Sequence, residues 1–184
     1  MLAQGQRLAQ RGVDVVVGLV ETHDRTDTEA MLTTIEQIPP VHLRHRGMTV
    51  DELDVDKVLA RRPAAVLVDE LAHSCCPGSR HEKRWEDVEE LLGAGIDVIT
   101  ALNVQHIDSL NDAVEAVTGI APHETVPDTV VAAADEIEFL DITPQQLRAR
   151  IADTQILASG ATPQALTGFY TAERLAGLRE LAMA

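Results

Sequence analysis

The chain has 184 residues, 45% of them hydrophobic but only 2% aromatic, so one compact domain with an aliphatic core is expected, not an aromatic-rich β-sandwich. It carries 15 Lys and Arg against 30 Asp and Glu, a formal net charge of −15, which repels the phosphate backbone of nucleic acid and disfavours an anionic membrane surface. No apolar run approaches the ~20 residues of a spanning helix, and the N-terminus lacks the basic start, apolar middle and cleavage site of a secretory signal; no nucleic-acid partner and no direct membrane insertion are expected, with a reducing cytosol as the default compartment.

The opening MLAQGQRLAQRG is in helical register but has neither a capping residue nor a strand ahead of it. A doubly wound sheet opens with a strand, a loop and then such a helix, so a further segment is expected upstream. VDVVVGLV at 13–20 reads as a strand. Residues 26–38 read as a helix stopped by Pro39 and Pro40, VHLRH at 41–45 as a weaker strand, and Asp51 as the cap of a short helix reaching Ala60. AAVLV at 64–68 is the next strand. Trp85, Val88, Leu91 and Leu92 then recur at helical spacing, DVIT at 97–100 is β-branched again, and Ile107, Leu110, Val114 and Val117 form another helical stripe.

EIEFLDI at 136–142 alternates like a strand, and Thr143 before Pro144 starts a helix through Ile151. After Ala152 the pattern loosens until Pro163 opens a last helix, with Leu166, Phe169, Leu175, Leu178 and Leu181 on or near one face. Strands alternating with helices predict an α/β fold, a mostly parallel sheet flanked by helices. One domain is assigned to 1–152, with 153–184 as its C-terminal helical extension.

AAVLVDELAH puts Asp69 and Glu70 directly after a buried strand, at the end of a parallel sheet where ligands bind. An Asp there can hold the Mg²⁺ of a nucleotide and an adjacent Glu can orient or deprotonate a water, as in Walker B strands. The same pattern fits a strand that simply leaves the core through two solvated carboxylates, and the G-x-x-x-x-G-K-[ST] phosphate loop is absent from these residues.

HSCCPGSRH at 73–81 follows at once. A zinc site would recruit His73, Cys75, Cys76 and His81, yet adjacent side chains diverge in extended chain; a redox pair and two ordinary semi-buried thiols are the alternatives. Arg80, His81, Lys83 and Arg84 make a local basic cluster in an acidic chain, comparable only with LRHRG at 43–47, and suggest either phosphate or a solvated surface run. ETHDR at 21–25 and NVQH at 103–106 each leave a strand end before a helix. Asn103 and Gln105 suit contact with a γ-phosphate or its attacking water, and Asn103 equally suits a helix cap.

GLVETH, AAVLVDELAH, PGSRHEKRWEDVEELLGAGIDVITALNVQHIDSLND and ETVPD together resemble the N-terminal cytoplasmic domain of the KdpD family, the Kdp-type potassium-sensing histidine kinases, from Met1 to about Glu180. The resemblance implies a P-loop-NTPase-like sensor domain that binds ATP and Mg²⁺, placed ahead of a universal-stress-like domain, transmembrane helices and a kinase core. The parent would sit in the inner or plasma membrane with this segment cytoplasmic. It would phosphorylate and dephosphorylate a response regulator controlling high-affinity potassium uptake, and that regulator would be a partner of this segment only indirectly. Its other domains and the nucleotide are the implied partners.

Carried over by position, Asp69 and Glu70 would serve Mg²⁺ and water, and Glu21, Thr22, His23, His73, Ser74, Arg80, His81, Arg84, Asn103 and Gln105 would surround the nucleotide. Two departures accompany the resemblance. The family's phosphate-binding strand and loop would fall just before Met1, so no independent catalysis is assigned to this segment. Ser74, Cys75 and Cys76 replace a Thr-Asn-small sequence, and Cys75 thereby loses an amide that could bond nucleotide or loop backbone. A non-catalytic interaction module with a degenerate nucleotide site is the competing reading.

Overall fold

The computed structural model describes residues 1–22, 25–152, 168 and 170–183. They divide into two compact units, Met1–Thr22 with Thr26–Leu102, and His23–Arg25 with Asn103–Ala184.

The first unit is built on four parallel strands: β1 (Val15–Leu19), β2 (Glu36–Gln37), β5 (Ala65–Val68) and β6 (Asp97–Thr100), in the order β2-β1-β5-β6. β1 pairs with β5 in the register Val15↔Ala65, Val16↔Val66, Val17↔Leu67. Every residue of these two strands except Gly18 is a buried apolar side chain, the near-continuous run required of a strand covered on both faces. On one face Val15, Val17, Ala65 and Leu67 form a cluster with Leu32 and Ile35, against which Leu2 and Leu8 of α1 (Leu2–Gln10) pack. Gly5 permits that approach, since a Cβ there would lie 2.6 Å from Leu67 Cδ1. The other face carries Val16, Val66 and Val68, all 0% exposed. α3 (Val55–Arg61) and α4 (Arg84–Gly93) pack on each other and bury Val55, Val58, Val88 and Leu91.

Three sequence expectations are corrected here. The helix expected over 26–38 is α2 (Thr26–Leu32). Thr33 and Thr34 turn their hydroxyls back onto the carbonyls of Ala30 (2.8 Å) and Met31 (2.9 Å), a competing local bond that Ser and Thr hydroxyls make readily, and Glu36–Gln37 then joins the sheet edge. Asp51 does not cap a helix. It lies in β4 (Met48–Glu52), antiparallel to β3 (Val41–His45), opposite His42. The cap of α3 is Asp54, whose Oδ1 accepts from the Lys57 amide at 2.9 Å.

The second unit holds two 3₁₀ turns, Val104–His106 and Asp108–Leu110, then α5 (Asn111–Thr118), α6 (Asp128–Ala132), α7 (Pro144–Ala152) and α8 (Ala172–Met183). α8 packs on α5 and α7, with a Cβ at Gly177 only 2.6 Å from Val117 Cγ1. The third correction is EIEFLDI: residues 136–142 are not a strand. β-propensity reports the fit of a segment to neighbours, and among the described residues this segment has no strand partner, leaving Ile137, Phe139 and Leu140 exposed. Thr143 and Gln146 form a reciprocal cap at the start of α7. Of the helix expected from Pro163, residues 163–167 and 169 lie outside the described residues, and Leu175 and Leu178 are buried in α8.

Candidate functional site

The strand order fixes where a ligand would lie. From β1 the chain moves outward to β2, then returns to the other side of β1 as β5 before moving outward to β6. The crevice at the carboxyl ends of β1 and β5 is therefore the topological switch point, the usual ligand position in an open α/β sheet. Glu21 and Thr22 follow β1, and Asp69 and Glu70 follow β5. The Asp69 amide donates to the Leu19 carbonyl at 2.9 Å, so β1 and β5 stay paired up to the crevice. Asp69 Oδ1 accepts from the Glu70 amide at 2.9 Å, and Glu70 adopts a left-handed φ of 54°. A non-glycine residue held there marks a turn that the surroundings over-determine. Glu70 is exposed and Asp69 half-buried.

Behind this turn lies a buried charge network that sequence reasoning missed. Arg84, the first residue of α4, is 2% exposed and Glu52, the last residue of β4, also 2%. Arg84 Nη2 donates to Glu52 Oε2 at 2.8 Å and Arg84 Nη1 donates to the Asp69 carbonyl at 3.1 Å. The other Glu52 oxygen accepts from the Cys76 amide at 2.8 Å and meets His73 Nε2 at 3.2 Å. Burial by itself would raise the Glu52 carboxyl; the hydrogen bonds from His73, the Cys76 amide and Arg84, with the Arg84 charge, outweigh it and hold the group down at about 2.

The HSCCPGSRH loop is stitched back on itself. Ser74 and Lys83 form an antiparallel bridge, Lys83 Nζ donates to Ser74 Oγ at 2.7 Å, and the Cys75 amide donates to the Glu82 carbonyl at 2.9 Å. His81 Nδ1 meets buried Asp87 at 2.7 Å, and Arg80 clasps Glu90 at 2.5 and 2.6 Å while reaching Asp56 at 2.6 Å. Burial raises the Asp87 carboxyl, against the pull of His81 and Arg84. Burial also pushes the Cys75 thiol up to about 12, with the Glu52 charge adding to it, and raises Cys76. Such thiols are protonated at neutral pH, and a thiol is neither a good nucleophile nor a metal ligand. Among the described residues no three His, Cys, Asp or Glu side chains gather as a metal site.

The expected site residues therefore fall into three groups. Asp69, Glu70, Glu21 and Thr22 end the two central strands. His73, Ser74, Arg80, His81 and Arg84 are in the adjoining loop and helix start, where Arg80, His81 and Arg84 face carboxylates of this chain. Asn103 and Gln105 belong to the second unit, in and before the first 3₁₀ turn, where Asn103 makes no side-chain cap. His23 lies outside the described residues. The acid end fits a hydrated Mg²⁺; the basic cluster fits phosphate only by exchanging its present partners. Glu52, Asp87 and Glu90 could have been suspected from α4: Arg84 and Asp87 share the stripe of Val88 and Leu91, and a charge on a buried stripe needs a counter-charge.

A family model described as "Osmosensitive K+ channel His kinase sensor domain" matches residues 1–184. Among curated proteins, the sensor protein KdpD of Escherichia coli (strain K12) is 51% identical over 183 residues, spanning all of this chain and 20% of that protein. The sensor protein KdpD of Mycobacterium tuberculosis is 48% identical over 183 residues, covering 21% of its length, and a putative sensor protein KdpD of Synechocystis is 44% identical, covering 50%. The chain thus spans about a fifth of the first two relatives.

Proposed function

From the fact that this chain belongs to the KdpD family of osmosensitive K+ channel His kinase sensor domains, we propose that it is the ATP-responsive regulatory segment of a potassium-signalling histidine kinase. The observation that supports this reading is the pair Asp69 and Glu70 at the switch-point end of fully buried β5, beside Glu21 and Thr22 at the end of β1. In a P-loop-type site, Asp69 would hold Mg²⁺ through its waters and Glu70 would orient water, while Thr22 and Ser74 offer hydroxyls. Bound Mg²⁺ would supply neutralisation of phosphate charge. Arg84 would keep its place behind Asp69, fixing the turn. The segment would be cytoplasmic in a membrane-anchored parent; no helix among the described residues is long and apolar enough to cross a membrane.

Thermal melts with Mg-ATP, on a longer protein that carries the expected upstream phosphate loop, test the proposal. At about ten times Kd a ligand stabilises by ~1.4 kcal/mol, which for a chain of this size raises Tm by about 3–6 °C. The rise should vanish in Asp69→Asn without loss of the ligand-free Tm. No rise at millimolar Mg-ATP in that longer protein, or an undiminished rise in its Asp69→Asn variant, rejects the assignment.

A second reading, a non-catalytic module docking other domains of the parent, draws on the internal pairing of Arg80, His81 and Arg84 with Asp56, Glu90, Asp87 and Glu52. Unchanged potassium regulation in the full-length protein carrying Asp69→Ala and Glu70→Ala would select it; lost regulation in a folded protein would reject it.

A further inference from the structure

Two surfaces outside the switch-point crevice are matched in chemistry. The first is the tip of the β3–β4 ribbon, a two-stranded hairpin apart from the main sheet. Arg46 and Gly47, at φ 49° and 83°, form its turn, with Arg44 and His45 before it and Met48 after it. Met48 is 65% exposed, and Arg44 and Arg46 are exposed. Neither arginine meets a carboxylate among the described residues, whereas Arg61, Arg80, Arg84 and Arg179 each do. In a chain of net charge −15, two unneutralised arginines beside an exposed methionine form a positive, partly apolar projection.

The second surface is the stretch 135–140 that was expected to be a strand. Asp135, Glu136 and Glu138 are exposed and face no cation among the described residues; Ile137 between them is 68% exposed, and Phe139 and Leu140, which follow, are 47% and 73% exposed. Arg179 pairs with Asp141 at the far edge of the stretch, so its unpaired charge lies at Asp135, Glu136 and Glu138; contiguous exposed apolar side chains rimmed by polar groups mark an interaction surface. Opposite charge steers encounter, and the apolar side chains supply what exposed ion pairs alone do not.

We propose that the Arg44–Arg46–Met48 ribbon tip docks onto the acidic-apolar stretch 135–140 of a second copy of this chain. The second copy is the occupant because each surface carries the charge and apolar character the other requires. A membrane surface or nucleic acid would answer only the tip, and the −15 charge opposes both. The two surfaces differ, so each copy offers both halves, and association is either a reciprocal pair or an open chain.

Sedimentation velocity of the full 184-residue chain over a concentration series at low salt tests this. The expected result is concentration-dependent association that weakens at least about tenfold when salt rises past the screening of exposed pairs. Arg44→Glu with Arg46→Glu, and separately Glu136→Lys with Glu138→Lys, should each be monomeric with unchanged Tm; mixing the two variants should restore association between them. A wild-type chain that stays monomeric at several hundred micromolar, association unaffected by either reversal, or no recovery on mixing overturns the proposal. So does binding to phosphatidylglycerol vesicles that Arg44→Glu with Arg46→Glu abolishes in a chain that does not self-associate, which would assign the tip to a lipid surface.

Discussion

Glu52→Gln removes one charge from the network behind Asp69 with little change of shape. The amide can still accept from Cys76 but leaves Arg84, 2% exposed, without its carboxylate. Breaking a buried ion pair by removing one partner costs about 3–5 kcal/mol, and each kcal/mol moves Tm by about 2–4 °C at this chain length, so a fall of roughly 6–20 °C is expected. Arg84→Met alone should cost a similar amount, because Glu52 is then stranded. The double variant should be more stable than the sum of the singles implies by at least ~2 kcal/mol. Calorimetric or fluorescence melts of the four proteins close the cycle. A fall under about 2 °C for Glu52→Gln, or strict additivity, would refute the view that these two charges hold one another in place.

The same carboxyl sets an acid dependence. Its folded value is about 2 against an ordinary 4.5, so its contribution is fully present above 4.5 and is lost as pH falls through about 2. The gap corresponds to at most about 3 kcal/mol, reduced to about 2 kcal/mol by solvent screening. Urea titrations from pH 6 to pH 2 should show wild type losing its advantage over Glu52→Gln across that window; parallel curves would contradict the assignment. Buried Asp87, raised instead of lowered, works in the opposite direction in both proteins and cancels from the comparison. For the cysteines, a Cys75 thiol near 12 predicts a thiolate fraction at neutral pH roughly a thousandfold below that of an ordinary thiol and, since a more basic thiolate is the better nucleophile, iodoacetamide alkylation slower by at least about tenfold. Mass spectrometry of a timed reaction reads this directly, and labelling of Cys75 at the rate of a model thiol would disprove it.

Strands β1 and β5 were legible because a strand buried on both faces leaves an unbroken apolar run, and β6 because Val98, Ile99 and Thr100 are β-branched although none is fully buried; the position of Asp69 and Glu70 followed from the end of the β5 run. What lay outside the reach of periodicity was partnership. Residues 136–142 carry the alternation of a strand, but alternation says only that one face is apolar, not that a neighbour exists to pair with. Glu36 and Gln37 were hidden for the converse reason: two residues are too few to show a period, and the edge of β1 makes them a strand. The basic cluster was visible in sequence as four basic residues close together, while the carboxylates that engage three of them come from 24 to 32 residues earlier, in Asp56 and Glu52, and from α4 itself. Long-range counter-charges of this kind emerge only when the chain is folded.

The hairpin of β3 and β4 has a mechanical consequence. It forms a two-stranded sheet of its own, and its root is Glu52, which is pinned through one guanidinium to the carbonyl of Asp69. A load on the tip is therefore borne at Glu52, and Arg84 is the pivot it turns on: Glu52 cannot shift without dragging the guanidinium or abandoning its charge. The ribbon is a short lever arm whose fulcrum sits one hydrogen bond from the turn at Asp69 and Glu70, so that whatever grips the far end has purchase on the near one.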